Sequence, residues 1–144
     1  MNRNEMKIEF GSDPRNESFA RVVVASFMTR TNPTLEEVAD VKTAVSEAVT
    51  NSIIHGYGQK EGTIEIRAYI EERKLYIEIT DYGWGGSGDV EKAMEPMFTT
   101  GKDGRSGMGF SFMEAFMDEL TVESEPGKGT TVKMAKKIGA GCAV

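Results

Sequence analysis

Apolar residues recur at helical spacing in two stretches of the first third of the chain. The first stretch predicts a helix over residues 16–28, because an apolar residue returns every four positions. The second begins at a Thr-Leu-Glu-Glu sequence, residues 34–37, whose Thr hydroxyl and last Glu carboxylate can satisfy each other's free backbone N–H groups. This helix is predicted to end near His55, before a Gly-Tyr-Gly sequence. The residues expected on the buried sides are Phe19, Val23 and Phe27 in the first helix and Val38, Val41, Val45, Val49 and Ser52 in the second.

Alternating apolar and polar residues predict strands in the rest of the chain. Residues 6–10 form a short strand, and residues 64–70 and 75–80 form a hairpin with one solvated face. Residues 120–123 and 131–134 predict two further strands, which a Pro-Gly turn connects. These elements belong to a chain of 144 residues, which is the size of one ordinary domain.

A Gly-rich stretch, residues 81–107, shows little periodicity. An irregular segment of this length inside a compact domain is usually functional and often forms a lid. The apolar residues that follow it are spaced as in a helix and predict one over residues 110–117. From about residue 138 we expect a loose tail.

The charge pattern narrows the choice of partners. The net charge is −6 at pH 7, and the Lys and Arg residues form no basic stripe, which argues against direct nucleic-acid binding. No apolar stretch approaches the roughly 20 residues that span a bilayer, and the N-terminus lacks the apolar core of a secretory signal. We therefore expect a cytoplasmic protein without a membrane partner. Cys142 is the one cysteine, so an internal disulfide is excluded.

The second helix carries Glu47 and Asn51, which are four residues apart and therefore project from the same face. An Asn oxygen can ligate Mg²⁺, and a carboxylate one turn away can orient or deprotonate a hydroxyl. Taken alone, the pair is weak evidence for such a site, because polar residues at this spacing are common on solvated helix faces.

Asp81 stands at the end of a predicted strand and is followed by glycines that include Gly83 and Gly85. Such glycines can turn the backbone sharply and leave the carboxylate in a pocket, where it can accept a hydrogen bond from an exocyclic amine such as that of adenine. An ordinary turn is the alternative. The spacing Gly-x-Gly-x-x-Gly from Gly83 also fits the dinucleotide fingerprint, but neither the long helix nor the parallel βαβ unit of that motif follows.

A second glycine pair, Gly107 and Gly109, opens the helix predicted near Phe110. Glycines there let backbone N–H groups approach an anion closely, and the helix N-terminus adds partial positive charge, so the site suits a polyphosphate. Arg105 lies just upstream, where it could reach a terminal phosphate or remain in solvent. Thr130, which leads into the last strand, could bond a base edge or a buried water, or simply end a turn.

In combination these motifs are more specific than each is alone. Their order and their placement on a helix, a strand end, a helix start and a strand resemble the four nucleotide-binding boxes of the ATPase superfamily of gyrase, Hsp90, histidine kinases and MutL. That resemblance implies an α+β fold, a two-layer α/β sandwich with a mixed, mainly antiparallel sheet of the Bergerat type. The four motifs are Glu47-x-x-x-Asn51, Asp81-x-Gly83-x-Gly85, Gly107-x-Gly109 and Gly129-Thr130-Thr131.

Within that superfamily the chain resembles the anti-sigma factor kinases of spore-forming bacteria from about residue 5 to 137. The phrases that carry this resemblance are residues 16–21, 46–51, 54–57, 97–100, 105–110 and 116–119. It implies a homodimeric serine kinase that uses ATP and Mg²⁺. Such a kinase sequesters a sporulation sigma factor in its ATP-bound form and phosphorylates a serine of an anti-anti-sigma factor.

The resemblance also implies roles for single residues. Glu47 would be the catalytic base, Asn51 the Mg²⁺ ligand and Asp81 the adenine contact. Glu17 and Arg21, an i,i+4 pair on the first helix, would lie on the partner-binding face. The remaining nucleotide contacts would be Gly83, Gly85, the lid residues Thr99 and Thr100, Arg105 at the terminal phosphate, Ser106, the phosphate-holding Gly107, Met108 and Gly109, Phe110 and Thr130.

Other functions compete with this interpretation. An ATPase-driven clamp would need transducer domains for which the chain has no room, and a histidine-kinase module would need a phospho-acceptor His on a dimerisation helix, whereas His55 lies at the end of the nucleotide helix. A sigma-binding module that uses ATP only as a structural ligand, and a stress-response switch kinase of the same family, both remain open.

Overall fold

Five strands in the described part of the chain form one sheet. The computed structural model describes residues 4–57, 61–82, 113–125 and 129–139. The strands are β1 (Asn4–Gly11), β2 (Thr63–Glu71), β3 (Lys74–Asp81), β4 (Glu119–Glu125) and β5 (Gly129–Lys137), and their order across the sheet is β1-β2-β3-β5-β4. Each of the four neighbouring pairs is antiparallel. The predicted α+β class is confirmed, and within the described residues the mainly antiparallel sheet shows no parallel pair.

Two long helices pack against each other beside this sheet. Helix α1 is Asn16–Met28, and helix α2 is Leu35–Asn51. The predicted capping box is confirmed, because the Glu37 N–H donates to Thr34 Oγ1 at 3.0 Å and the Thr34 N–H donates to Glu37 Oε1 at 2.9 Å. At its C-terminal end α2 changes into a π-helical segment, Ser52–Tyr57.

The buried side of α1 differs from the prediction. Phe19 is 50% exposed, and it packs edge-to-face on Phe10 of β1 with the ring centroids 6.2 Å apart. The fully buried positions of the helix are one residue further on, at Ala20, Val24 and Met28. Both sets recur every four residues, so spacing alone does not separate them. The small Ala20 lets the backbone of α1 lie close to the core, while the aromatic rings occupy the margin.

The core lies between α2 and the inner face of the sheet. The predicted alternation of the hairpin is confirmed, as is the buried side of α2 except at Val38, which is partly buried. The largest contributors from the two layers are Val41, Val45 and Val49 of the helix and Ile64, Ile66, Leu75, Ile77 and Ile79 of the sheet. None of the helices among the described residues is long and apolar enough to cross a membrane.

Hydrogen bonds hold the last two residues of the described chain. Ile138 is buried, and its N–H donates to the Arg73 carbonyl at 2.8 Å. The Gly139 N–H donates to the Glu37 carboxylate at 3.2 Å. These contacts hold the chain as far as Gly139, and the rest of the tail that was predicted from about residue 138 lies outside the described residues. The predicted helix over residues 110–117 is described only for its last turn, where residues 113–116 are helical.

Candidate nucleotide site

Helix α2 presents Glu47 and Asn51 from the same side, one turn apart and both half-buried. Side chains at this spacing have their Cβ atoms roughly 5–6 Å apart. The Glu47 carboxylate makes no hydrogen bond or ion pair with another described residue. It is therefore available to accept a proton or a hydrogen bond from a ligand.

The Asn51 side chain has an unsatisfied polar atom. Its Nδ2 is buried and finds no hydrogen-bond partner in the described part of the chain. A buried amide group without a partner costs roughly 1–3 kcal/mol, so such groups normally have one. Because the amide can turn by 180° about its last side-chain bond, either its nitrogen or its oxygen can face the same ligand. Asn51 is also the last residue before the π-helical segment, a distortion that is frequent at functional sites.

Asp81 and Thr130 lie directly opposite each other on β3 and β5. Both are almost fully buried, with 3% and 6% of their surface exposed. The Thr130 hydroxyl also donates to Ser124 Oγ of β4 at 3.3 Å. The two residues that the sequence assigned separately to the adenine end of the site are therefore neighbours at one end of the sheet.

Gly129 makes this close pairing possible. Its φ is +94°, a backbone conformation that residues with a side chain rarely adopt. A Cβ at this position would lie 2.0 Å from the Asp81 carbonyl oxygen and 2.6 Å from the Tyr82 Cα. The strand that carries Thr130 can approach the end of β3 only because residue 129 has no side chain.

The segment that follows Asn51 packs on the two strands that bear Asp81 and Thr130. The π-helical segment, which continues directly from Asn51, contacts both β3 and β5. Its first two residues, Ser52 and Ile53, are buried. The predicted Mg²⁺ ligand thus lies at the start of a segment that packs on the two strands bearing Asp81 and Thr130.

The remaining predicted site residues lie either on α1 or outside the described part of the chain. Glu17 and Arg21 form the predicted ion pair on α1 at 3.7 Å, far along the chain from the other site residues. The predicted contacts that lie outside the described residues are Gly83, Gly85, Thr99, Thr100, Arg105, Ser106, Gly107, Met108, Gly109 and Phe110.

The structure adds contacts that sequence reasoning missed. One of them is the hydrogen bond from Thr130 to Ser124. In addition, the Thr80 and Thr131 hydroxyls are 3.0 Å apart, and the Tyr82 hydroxyl donates to Glu65 at 2.6 Å. The pairing of Ser124 with Thr130 could have been anticipated, because both flank the turn between two predicted strands. The contacts that join β3 to β5 could not, since β4 lies between these strands in the sequence.

The donor set fits a magnesium ion that is held mainly by phosphate. Among the described residues no group of three or more His, Cys, Asp and Glu side chains could hold a metal by itself. Mg²⁺ in nucleotide sites typically takes one or two protein oxygens and completes its shell with phosphates and water. The half-buried Asn51, with one polar atom unsatisfied, can supply one such oxygen.

Comparison with known families gives the class of this protein. The model of the histidine kinase-like ATPase domain matches residues 10–136, which include both helices and all five strands at least in part. The chain therefore falls in the class of histidine kinase-like ATPase domains.

Comparison with curated proteins is more specific. The chain is 58% identical over 138 residues to the anti-sigma F factor of a Thermoanaerobacter species, covering 95% of this chain and 96% of the relative. It is 59% identical over 137 residues to the anti-sigma F factor of Caldanaerobacter subterraneus, covering 94% and 95%. It is 57% identical over 139 residues to the anti-sigma F factor of Clostridium acetobutylicum, covering 96% of each chain. The chain belongs to the anti-sigma F factor family.

Proposed function

We propose that this chain is a cytoplasmic anti-sigma factor and serine kinase, and that it acts as one ATP-binding domain. In its ATP-bound form it sequesters a sporulation sigma factor, and it transfers the terminal phosphate of ATP to a serine of an anti-anti-sigma factor. The observation that carries the proposal is the pair on α2: a Glu47 carboxylate and, one turn away, an Asn51 amide nitrogen, neither of which has a partner among the described residues. The relatives are anti-sigma F factors, and this supplies the class of partner.

The strand ends would bind the base. Asp81, buried beside Thr130, would accept a hydrogen bond from the exocyclic amine of adenine, and the Thr130 hydroxyl would contact the ring edge. Asn51 would hold Mg²⁺, which when bound neutralises charge on the phosphates. The resemblance assigns the remaining contacts to Gly83, Gly85, Thr99, Thr100, Arg105, Ser106, Gly107, Met108, Gly109 and Phe110.

The Glu47 carboxylate would act on the incoming serine. As the serine oxygen forms its bond to the terminal phosphorus, the bond from phosphorus to the bridging oxygen of ADP breaks, and the hydroxyl proton passes to Glu47. A base at this position must be close to solvent yet free of other partners. Glu47 meets both conditions, since it is half-buried and the described residues offer it no competing bond.

The partner face would lie on α1. Beside the Glu17–Arg21 ion pair, Phe19 and Val22 are 50% and 57% exposed on the same helix. Apolar side chains next to Arg are the composition that protein interfaces favour. The family resemblance further implies that the protein is a homodimer.

Charge reversal at Arg21 tests the partner face. We expect Arg21→Glu to weaken capture of the sigma factor about tenfold or more, since Arg is enriched among residues that dominate binding energy. ATP binding and the melting temperature should change little, because an ion pair at the protein surface contributes roughly 0.2–1 kcal/mol. The control is Arg30→Glu, which changes an exposed cation in the short turn after α1 and should leave sigma capture normal. A parallel loss of ATP binding and thermal stability would show that Arg21 is structural.

Replacement of Asp81 tests the adenine contact. ATP with Mg²⁺ should raise the melting temperature, because a ligand at a hundredfold excess over its dissociation constant stabilises the folded state by about 2.7 kcal/mol. Asp81→Asn should remove most of that shift, since the amide can present a donor to a donating amine. The control is Glu78→Gln on the other face of β3, which should keep the full shift. An undiminished shift in Asp81→Asn would remove Asp81 from the site.

Transfer of labelled phosphate tests the function as a whole. The purified protein should transfer label from ATP to the anti-anti-sigma factor of the same organism, and substitution of the acceptor serine should abolish the transfer. It should also capture the sigma factor more tightly with ATP than without nucleotide. ATP-dependent capture with no transfer to the genuine partner would identify a binding module instead of a kinase.

A further inference from the structure

Three polar residues lie side by side on the inner face of the sheet, at one end of its strands. The register places Asp81 of β3 opposite Thr130 of β5, and Thr130 opposite Ser124 of β4. Successive side chains of a strand alternate between the two faces, so these three residues share the face of Ile79 and Val132, which are buried in the core. The apolar core therefore gives way to a polar row at this end of the sheet.

The hydrogen bond between two members of this row fixes the direction of the Thr130 proton. Thr130 Oγ1 donates to Ser124 Oγ at 3.3 Å, and within the described residues the Thr130 side chain makes no other hydrogen bond. Thr130 is 6% exposed, so its proton needs an acceptor inside the protein. Ser124 is half-buried and can give its own proton to water. The Thr130 proton is therefore directed towards β4.

This bond makes Thr130 an acceptor towards any ligand at the strand ends. A threonine hydroxyl has one proton and two lone pairs, so once the proton is on Ser124 the Thr130 oxygen can only accept. An ionised carboxylate, such as Asp81 can provide, also accepts and does not donate. Directly opposite residues of an antiparallel pair have their Cβ atoms roughly 4.5–5.5 Å apart. The row thus offers a ligand two neighbouring acceptors.

Two neighbouring acceptors distinguish purines by the group at C6. Adenine carries an amine there, which donates hydrogen bonds, whereas guanine and hypoxanthine carry a carbonyl oxygen, which only accepts. The amine can satisfy acceptors of the row. A carbonyl oxygen in the same place would face acceptors alone and leave buried polar atoms without partners, which is costly.

We propose that Ser124 is a positioning residue for nucleotide specificity: by taking the Thr130 proton, it keeps Thr130 an acceptor and so disfavours nucleotides with a carbonyl at C6. The inference rests on the adenine contact in the proposed function and adds a residue that does not itself touch the base. Without Ser124, the Thr130 hydroxyl can turn its proton towards the ligand and donate to a C6 carbonyl. Asp81 still favours the amine. Loss of Ser124 therefore weakens the discrimination without reversing it.

The same bond contributes little to the stability of the fold. At 3.3 Å it is longer than the roughly 2.7–2.8 Å that is typical of O–H···O hydrogen bonds. Strand β4 is moreover paired with β5 along its whole length, from Glu119 to Glu125. Removal of the Ser124 hydroxyl should therefore leave the melting temperature of the nucleotide-free protein close to that of the wild type.

Binding of ATP and of inosine triphosphate tests this role, because hypoxanthine has a C6 carbonyl where adenine has its amine. We expect Ser124→Ala to reduce the preference for ATP over inosine triphosphate about three- to tenfold, which is the range of one hydrogen bond. The change should come mainly from tighter binding of inosine triphosphate. Equilibrium dissociation constants of both nucleotides, measured with Mg²⁺, give the ratio.

Three further variants separate positioning from a structural role. Ser124→Thr keeps a hydroxyl and should keep the wild-type ratio. Thr121→Ala removes an exposed hydroxyl from the outer face of β4 and should also keep it. Thr130→Val removes the hydroxyl on which Ser124 acts, so the addition of Ser124→Ala to this variant should change the ratio no further.

The outcomes that contradict this role are distinct from a failure of nucleotide binding. An unchanged ratio in Ser124→Ala would overturn the inference, and so would an equal loss of both nucleotides, which would make Ser124 structural. Additive effects of Ser124→Ala and Thr130→Val would also overturn it, because Ser124 would then act without Thr130. A wild type that binds both nucleotides equally would overturn the inference alone, whereas a wild type that binds neither would overturn the proposed function as well.

Discussion

Replacing Glu47 with alanine is expected to slow phosphate transfer to the anti-anti-sigma factor by about 10²–10⁴, or roughly 3 to 5 kcal/mol of barrier. ATP binding should stay close to that of the wild type, because the proposed role of the carboxylate begins only when a serine hydroxyl arrives. Asn51→Ala should act in the opposite way and weaken binding of Mg²⁺-ATP itself. Single-turnover transfer and equilibrium ATP binding, measured on both variants, separate the two roles.

The chain offers a matched control for Glu47. Glu36 is an exposed glutamate in the first turn of the same helix, so Glu36→Ala removes an equal charge far from Asn51. This variant should transfer phosphate at the wild-type rate. Transfer at the wild-type rate by Glu47→Ala would leave the kinase but exclude Glu47 as its base. A loss of ATP binding in Glu47→Ala that equals the loss in transfer would instead make Glu47 a nucleotide contact.

The sequence predicts most of the local structure because local rules decide it. The capping box at Thr34 and Glu37 marks the start of α2 correctly, since both of its hydrogen bonds form between residues three apart. The alternation in β2 and β3 identifies the buried face for the same reason. The stripe of α1 is wrong because Phe19 and Ala20 fit the same spacing, and only tertiary packing decides that the smaller residue lies inside.

In the candidate site too, contacts within one element could be predicted from the sequence, and contacts between elements could not. Glu47 and Asn51 could be paired from the sequence, because one helical turn fixes their separation. That Asp81 faces Thr130 could not, because this contact depends on β5 lying between β3 and β4 in the sheet. The anchoring of Ile138 by the Arg73 carbonyl is likewise a contact between distant parts of the chain. Long-range pairing thus carries the part of the site that periodicity does not reveal.

The long-range contact between the start of β5 and the end of β3 requires a glycine at position 129. We expect Gly129→Ala to lower the free energy of unfolding by about 3 kcal/mol or more, because it combines a strained positive φ with a backbone clash. The added Cβ would lie 2.0 Å from the Asp81 carbonyl oxygen, so β5 and the end of β3 must separate. Gly11→Ala is the matched control, since its Cβ would meet no atom closer than 3.9 Å. Denaturant unfolding of both variants gives the comparison.

The same substitution links the fold to the site. Separation of the strands at residue 129 moves Thr130 away from Asp81, so the Gly129→Ala protein that remains folded should also lose most of the melting-temperature shift that ATP produces. Gly11→Ala should keep that shift, because Gly11 lies on β1, at the edge of the sheet away from β5. If Gly129→Ala is destabilised yet keeps the full shift, the glycine serves the turn and sheet alone, and the base does not depend on the pairing of Asp81 with Thr130. If both stability and the shift are unchanged, the close approach of β5 to the Asp81 carbonyl is wrong.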